Sequence, residues 1–222
     1  MRIIKFSPEI REAAPLLRVL AVEAEIANGP TSQALWDEIE ARGAWLRDHL
    51  RMDEVNKLPG IAPTRQAYKA CGKEPNRYRP SAEALTRRMV KGADLYRTLT
   101  AIDLINLISL ITGHSIGGFD ADKVDGDTLE LGVGRAGEPF QAIGRGELNI
   151  EHLPVYRDST AAIGTPTSDC ERTKLTPDTT RLLMLVNVYD PDADMTALKA
   201  LISDTLQRHC SATSSFVEWQ MC

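Results

Sequence analysis

The segment "LISLITGHSIGGFDADKVDGD" (Leu107–Asp127) contains the pattern G-x-S-x-G at Gly113–Gly117. This pattern marks the nucleophile of serine hydrolases when a strand precedes the serine and a helix follows it directly. Here the residues before Ser115 have helical periodicity, and "FDADKVDGD" after it has too many Asp and Gly residues for a long helix. The sequence thus predicts neither the strand before the serine nor the helix after it. A hydrolase that uses Ser115 is therefore the weakest of the functional hypotheses below.

The helix before this segment is predicted to be central and buried. Apolar residues recur at helical spacing through "DLYRTLTAIDLINLISLITG", and Gly113 is a typical helix stop. Thr100, Asp103 and Asn106 recur three residues apart and form one narrow polar stripe on this helix. Because buried polar groups must be hydrogen-bonded, the stripe is predicted to anchor neighbouring loop backbone or to line a pocket.

The remaining sequence predicts an α+β fold. Two strands and a helix ending near Asp48 come first, and Ser81 is the N-cap candidate of a later helix. From Gly126 onward, apolar and polar residues alternate as in strands, and "TTRLLMLVNVY" is apolar enough for a central strand. Without βαβ alternation, we expect a mixed, mostly antiparallel sheet with a buried central helix and flanking helices. We expect one domain over residues 1–222, with N-terminal strands and helices in 1–75 and the motif-bearing core in 76–210.

Composition excludes several classes of protein. With 222 residues and 43% hydrophobic content, the chain resembles an ordinary globular protein, and no apolar run reaches the length of a membrane span. The start "MRIIKFSPEI" has an acidic residue where a signal peptide would be apolar, so we expect a cytoplasmic location and no membrane contact. The four cysteines, Cys222 among them, and the four histidines lack metal-ligand spacing. No metal or cofactor is therefore expected.

Positive charge is concentrated in one segment of an acidic protein. The net charge is −5, yet residues 73–97 hold seven Lys and Arg against three acidic residues. Such a patch is either a solvated helix face or a surface for RNA phosphates. The candidates for phosphate binding are four arginines of this segment and one from a later loop: Arg77, Arg79, Arg87, Arg88 and Arg172.

Several short motifs resemble, in order and spacing, the B3/B4 domain of the phenylalanyl-tRNA synthetase beta subunit. They are Arg87-Arg88, Ile102-Asp103-x-x-Asn106, Gly113 to Phe119-Asp120 in a turn, and Gly126-Asp127 before a strand. The loop "GTPTSDCERTKLTPDTTRLLMLV" lies where that family has a glycine-rich acidic loop and the last strand of the sheet. The resemblance covers roughly half of the chain and leaves no room for the aminoacylation domains, which implies a stand-alone protein.

The resemblance implies an editing function, in which the B3/B4 domain hydrolyses tyrosine attached to the phenylalanine tRNA. A second hydrolytic site is needed because a binding pocket discriminates poorly against an added hydroxyl. The family's editing pocket uses an arginine, a histidine and a glutamate. Carried over to this sequence, the arginine is Arg87 or Arg88, and the acid is Glu171 or its neighbour Asp169. The histidine position falls on Gly117, three residues after His114.

Three functional hypotheses follow. In the first, the protein binds tRNA or aminoacyl-tRNA and an amino-acid-like group, and edits mischarged tRNA in trans as an aminoacyl-tRNA deacylase. Its predicted catalytic residues are Glu171 and Asp169, and its predicted substrate-binding residues are Thr100, Asn106, Gly117, Gly118, Thr167 and Ser168. In the second, the protein is a non-catalytic family member that binds a small ligand or another protein. The third is the serine hydrolase. Oligomeric state is left open.

Overall fold

The computed structural model of the chain describes residues 2–212 and 214–220, apart from the side chain of Gln220. Cys222 lies outside these residues, as do the two ends of the range 1–222 predicted as one domain.

An apolar strand buried on both faces organises the fold. It is β9 (Arg181–Val188), and it lies inside a four-stranded sheet of order β10–β2–β9–β3 whose neighbours are all antiparallel. The other strands are β2 (Arg18–Glu25), β3 (Ser115–Asp120) and β10 (Ser214–Gln220). A strand covered on both faces needs apolar side chains in both directions, which explains the unbroken run "LLMLV". The prediction of a central strand here is confirmed.

A second four-stranded sheet covers one face of the first. Its order is β1–β4–β7–β8, and its only parallel pair in the described residues is β1 with β4. The strands are β1 (Ile3–Phe6), β4 (Thr128–Val133), β7 (Pro154–Arg157) and β8 (Ala162–Gly164), and a small hairpin joins β5 (Gln141–Ala142) to β6 (Gly146–Glu147). Odd-numbered residues of β9, such as Leu183 and Leu185, fill the core between the two sheets.

Helices cover the opposite face of the first sheet. They are α2 (Gln33–His49), α4 (Ser81–Val90), α5 (Thr100–Thr112) and α6 (Met195–Cys210), whereas α1 (Pro8–Ala13) and α3 (Ala62–Ala70) contribute Ile10 and Tyr68 to the core between the two sheets. Two 3-10 turns lie at Val55–Lys57 and Ala121–Lys123. Even-numbered residues of β9, such as Met184 and Val186, pack with α2, α4, α5 and α6. The result is three layers, helices then sheet then sheet. The predicted α+β class with mostly antiparallel strands and a buried central helix is confirmed.

Two local predictions were wrong. Ser81 is not an N-cap: Pro80 caps α4 without a side-chain hydrogen bond, and the Ser81 N–H donates to the Pro166 carbonyl (2.7 Å). Residues 115–120, predicted as a glycine-rich turn, form β3. Pairing with β9 along all six residues overrides the preference of consecutive glycines for turns. Gly113 ends α5 with a left-handed φ of 76°, as predicted. No helix in the described part of the chain has the length and apolarity to cross a bilayer.

Candidate functional site

A cavity of about 230 Å³ opens between the helix layer and the edge strand β3. Its wall is mostly aliphatic, and its polar groups are few, an arrangement typical of small-molecule sites. The apolar side chains are Leu85, Ile102, Ile105, Ile116, Ile143 and Leu175. The remaining lining residues are Ser81, Asn106, Ser109, Gly118, Asp169 and Lys174.

One wall of the cavity is α5, which the polar stripe fixes in place. The fully buried Asp103 carboxylate accepts hydrogen bonds from the Thr31 hydroxyl (2.5 Å) and from both the N–H (2.9 Å) and the hydroxyl (2.8 Å) of Thr98. The Thr100 hydroxyl donates to the carbonyls of Gly29 and Pro30, so Thr100 anchors a loop and does not line the cavity. Asn106, six residues further along the helix, does line it. The stripe thus performs both predicted roles.

The carboxyl of Asp169 reaches the cavity from the loop after β8. Its Oδ2 accepts a hydrogen bond from the Gly118 N–H (3.0 Å), and its Oδ1 lies against two glycines. A Cβ atom added at Gly164 would lie 2.8 Å from Oδ1, and one added at Gly117 would lie 3.2 Å from it. Burial raises the pKa of Asp169 to about 7, although the Gly118 hydrogen bond opposes this shift.

The turn before Asp169 is held by hydroxyl groups. The Thr165 hydroxyl accepts hydrogen bonds from the N–H groups of Thr167 (3.1 Å) and Ser168 (3.0 Å), which is a common way of closing a tight turn. The Thr167 hydroxyl is paired with the buried hydroxyl of Tyr68 (2.9 Å). Thr167 and Ser168, predicted to bind substrate, therefore shape the turn that presents Asp169 and are not among the cavity-lining residues.

Glu171 lies at the rim, two residues beyond Asp169. Its carboxylate accepts a hydrogen bond from the Lys174 ammonium (2.5 Å) and another from the Gly144 N–H (3.2 Å). The Lys174 hydrogen bond holds the pKa of Glu171 below its usual value. Of the two predicted catalytic acids, Asp169 lines the cavity, and Glu171 contacts Lys174, which lines it as well.

Two of the predicted phosphate-binding arginines, Arg79 and Arg87, lie near a buried acid, Glu83, whose side chain is fully inaccessible. Arg87 pairs with it at 2.8 Å, Arg79 approaches to 4.0 Å, and Arg65 of α3 forms a further pair at 2.7 Å. Arg88 instead donates to the Asp94 carbonyl (2.7 Å). The Arg65 pair joins α3 to α4, and none of these arginines lines the cavity.

Arg77 and Arg172 lie in other surroundings. Arg77 is exposed, with its guanidinium 5.7 Å from the centre of the Tyr78 ring. Arg172 forms ion pairs with Asp158 (2.7 Å) and Asp125 (3.1 Å), which raise the pKa of its guanidinium further. The five arginines are therefore distributed over several contacts and do not converge on one anion site.

Ser115 and His114 are both removed from the cavity. Ser115 has no exposed surface, its Oγ accepts a hydrogen bond from the Ala82 N–H (3.3 Å), and it follows a helix and begins a strand. Burial lowers the pKa of His114 to about 4, so this imidazole is neutral near pH 7. The geometry required of a nucleophile elbow is absent at this position.

Comparison with known proteins identifies the family. A family model described as "B3/4 domain" matches residues 63–213, about two thirds of the chain. The chain belongs to the B3/4 domain family. The match covers α3 to α6, and so it contains every residue that lines the cavity.

A solved structure shares the fold of this B3/4 protein. It is an N-terminal fragment of the phenylalanyl-tRNA synthetase beta subunit from Pyrococcus horikoshii, with a TM-score of 0.50 and 12% sequence identity. The alignment covers 97% of this chain and 53% of the fragment, so the chain spans about half the length of that structure. A search of curated proteins gave no significant match.

Within the B3/4 fold, three of the predicted site residues line the cavity, whereas its apolar wall and the polar residues Ser81, Ser109 and Lys174 were not predicted. The structure brings Asn106, Gly118 and Asp169 together at the cavity, whereas Gly117 faces the opposite side of β3, where a Cβ would meet the Phe119 ring at 2.7 Å. Side chains such as Leu85 and Ile105 carry no sequence signal that separates a cavity wall from ordinary core. In the described part of the chain, no group of three or more His, Cys, Asp or Glu side chains is arranged to hold a metal ion.

Proposed function

We propose that this B3/4 protein binds the aminoacyl end of a tRNA and hydrolyses the ester bond. The observation that carries the proposal is Asp169, a carboxyl with a pKa of about 7 in the wall of an otherwise aliphatic cavity. Perturbed carboxyls in apolar clefts are typical of functional sites. The aliphatic wall suits an uncharged amino-acid side chain, and family membership makes an RNA partner plausible.

In the proposed reaction, Asp169 acts as a general base. Its ionised carboxylate accepts a proton from water, and the water oxygen attacks the carbonyl carbon of the ester. The bond from that carbon to the ribose oxygen then breaks, and Asp169 returns the proton to this departing oxygen, which leaves as the ribose hydroxyl. A pKa near the working pH suits a group that both takes and gives a proton. Asn106 and Lys174 line the same cavity and offer N–H groups to the oxygen that gains negative charge.

A second candidate function is ligand binding without catalysis. It is favoured by Gly117, which stands where the resemblance implies a histidine, and by Glu171, whose carboxylate already accepts hydrogen bonds from Lys174 and the Gly144 amide. In this case the Asp169 carboxylate would bind an ammonium group of the ligand. If Asp169 is catalytic, its substitution lowers kcat, whereas if it only holds the ligand, its substitution weakens binding.

A deacylation assay on mischarged tRNAs tests the proposal. If Asp169 is the base, Asp169→Asn lowers kcat by about 10²- to 10⁴-fold with little change in KM, and the wild-type rate rises with pH up to about 7 and then levels off. Asp178→Asn is the matched control, because this acid is exposed and does not line the cavity. Binding that weakens in Asp169→Asn, without hydrolysis by the wild type, would support the second candidate. Hydrolysis that survives in Asp169→Asn would exclude Asp169 as the base, and its loss in Ser115→Ala would revive the serine hydrolase.

A further inference from the structure

We infer that the last turn of α4 and the segment between α4 and α5 carry a stacking surface for unpaired RNA bases, an inference that rests on the proposed function. The surface consists of Arg88, Lys91, Tyr96 and Arg97 and is called the Tyr96 surface below. The Tyr96 side chain is 76% exposed, the highest value among the large hydrophobic residues that the structure describes. A ring exposed to this extent contributes no free energy of burial to folding, and such exposed aromatic rings are common at binding surfaces.

The backbone that carries Tyr96 is anchored on both sides. Leu95, the preceding residue, is buried in the helix-layer core. Arg97, the following residue, donates two hydrogen bonds to the Thr31 carbonyl (2.7 and 3.2 Å), and Thr98 binds Asp103. The ring is thus presented to solvent from a fixed position, which lowers the entropic cost of stacking against a ligand.

An arginine is already positioned beside the ring. The Arg88 guanidinium lies 4.7 Å from the centre of the Tyr96 ring, and its Nε donates to the Asp94 carbonyl (2.7 Å). Aromatic rings combined with arginine planes are the groups on which unpaired bases stack, and the contact works for any base because every base has a π-face. Arg88 can also reach a phosphate with the N–H groups that Asp94 does not use.

The charge of the Tyr96 surface suits a nucleic acid. Arg88, Lys91 and Arg97 form no ion pair with a carboxylate of the described residues; Arg97 is held by the Thr31 carbonyl and the Gln33 side-chain oxygen (3.1 Å). One acidic residue, Asp94, lies among residues 88–97. Most other arginines in the structure have carboxylate partners, as Arg172 does. The surface is thus a positive region on a protein of net charge −5, which favours a phosphate backbone.

The Tyr96 surface begins beside the cavity. Leu85 lines the cavity from α4, and Arg88 lies one helical turn further along the same helix, about 5 Å away. Ile102 lines the cavity from the start of α5, directly after the segment that carries Tyr96. An RNA whose terminal aminoacyl group occupies the cavity would therefore place its next unpaired nucleotides on this surface.

Another exposed ring offers a matched comparison. Trp45 on α2 is 47% exposed, but it already has two stacking partners: the His49 ring at 4.7 Å and the Arg42 guanidinium at 4.3 Å. A base would have to displace one of them. Trp45→Ala therefore serves as a control for removal of an exposed aromatic side chain next to an arginine.

The test is a fluorescence titration of the full chain with a short single-stranded RNA that carries 2-aminopurine beside its 3′-terminal nucleotide. Stacking on Tyr96 should quench the fluorophore, and Tyr96→Ala should weaken binding by about tenfold or more and abolish the quenching. Tyr96→Phe should bind like the wild type, because it keeps the π-face, and Trp45→Ala should bind like the wild type as well. Thermal denaturation checks that each variant is folded.

Three results would overturn the inference: no binding of the RNA by the wild type, equal binding by wild type and Tyr96→Ala, or equal weakening by Tyr96→Phe and Tyr96→Ala. The first two would leave the exposed ring as a contact for another protein. RNA binding with quenching but without ester hydrolysis would overturn the proposed function and leave the stacking surface standing. Ester hydrolysis that is unaffected by Tyr96→Ala would overturn the stacking surface and leave the proposed function standing.

Discussion

Two glycines make room for the carboxyl group of Asp169, and the backbone of a third donates a hydrogen bond to it. Gly117 and Gly164 leave the space that the Asp169 Oδ1 atom occupies, and the backbone of Gly118 donates the hydrogen bond to Oδ2. One N–H donor compensates only part of the cost of desolvating a negative charge, and so the pKa of Asp169 rises to about 7. The same packing that shapes the cavity therefore sets the acidity of its carboxyl.

This raised pKa predicts how stability depends on pH. The folded pKa of Asp169 lies above the unfolded value of 3.8, so its contribution to stability is complete below pH 4 and is lost as the pH rises to about 7. The Asp169→Asn side chain does not ionise and so does not show this loss, and its oxygen can still accept the hydrogen bond from the Gly118 N–H. In urea unfolding, the free energy of unfolding of Asp169→Asn should increase relative to that of the wild type between about pH 4 and about pH 7, by at most about 4 kcal/mol. A difference that is constant over this range would contradict the raised pKa.

A second prediction at this scale concerns the position where the resemblance implies a histidine. In β3, the Phe119 ring folds back over Gly117, and a Cβ there would lie 2.7 Å from the ring. Gly117→His should therefore lower the free energy of unfolding by about 1–3 kcal/mol through overpacking. Phe119→Leu should recover part of this loss in the double variant, measured by urea denaturation. Full stability of the single variant would show that the ring moves without cost.

How far the sequence predicts the site is best judged from the two acids. Both Asp169 and Glu171 were candidates, because they lie two residues apart in one loop and the resemblance did not separate them. Their different environments depend on contacts that are distant in sequence: Gly118 on β3 for Asp169, and Gly144 in the β5–β6 hairpin for Glu171. Sequence patterns record local spacing, whereas the burial that sets a pKa arises from tertiary packing.

At the scale of elements, the helices that border the cavity are joined by a buried ion-pair cluster. Glu83 on α4 pairs with Arg65 on α3 and with Arg87 one turn along α4, and its own side chain is inaccessible to solvent. The Arg65 guanidinium also donates to the Asn76 side chain (2.7 Å) and so ties down the loop between the helices. Because Ser81 and Leu85 of the same helix line the cavity, the cluster fixes one of its walls.

Removing the Glu83 carboxylate should lower the free energy of unfolding far more than removing the Glu171 carboxylate at the rim of the cavity. Glu83→Ala leaves Arg65 without its carboxylate in a buried position, and we expect a loss of about 3–5 kcal/mol in the free energy of unfolding. Glu171→Ala, which breaks an exposed pair with Lys174, is the matched control and should lose much less, because solvent screens such pairs. Equal losses in the two variants would mean that the cluster does not hold α4 in place.

Two elements, α2 and β3, show which parts of the fold sequence patterns predict and which they do not. α2 begins after its N-cap Ser32 and ends within a residue of the predicted end, because its apolar spacing and cap are local features. β3 was missed because its glycines favour turns locally, and its strand conformation depends on pairing with β9 more than sixty residues away. Likewise, no local sequence feature of Glu83 predicts its ion pair with Arg65 on α3.

At the scale of the whole molecule, positive charge near the cavity is scarce and much of it is paired. The chain has a net charge of −5, and Arg79, Arg87 and Arg172 lie beside carboxylates. The three cations of the Tyr96 surface have no carboxylate partner among the described residues, and in this sense their charge is available to an RNA. A protein with so few available cations near its site should bind RNA through few phosphates and depend on stacking for the rest of the affinity.

This balance predicts a shallow salt dependence of RNA binding. Three available cations should give a slope of log K against log salt of about −2 for single-stranded RNA, since each phosphate contact contributes about −0.7. Arg88→Gln should make the slope less negative by about 0.7, whereas Tyr96→Ala should weaken binding at every salt concentration and leave the slope unchanged. Titrations between about 50 and about 200 mM salt measure both effects. A slope near −7 would require roughly ten phosphate contacts, and the RNA would then cover far more of the protein than the Tyr96 surface.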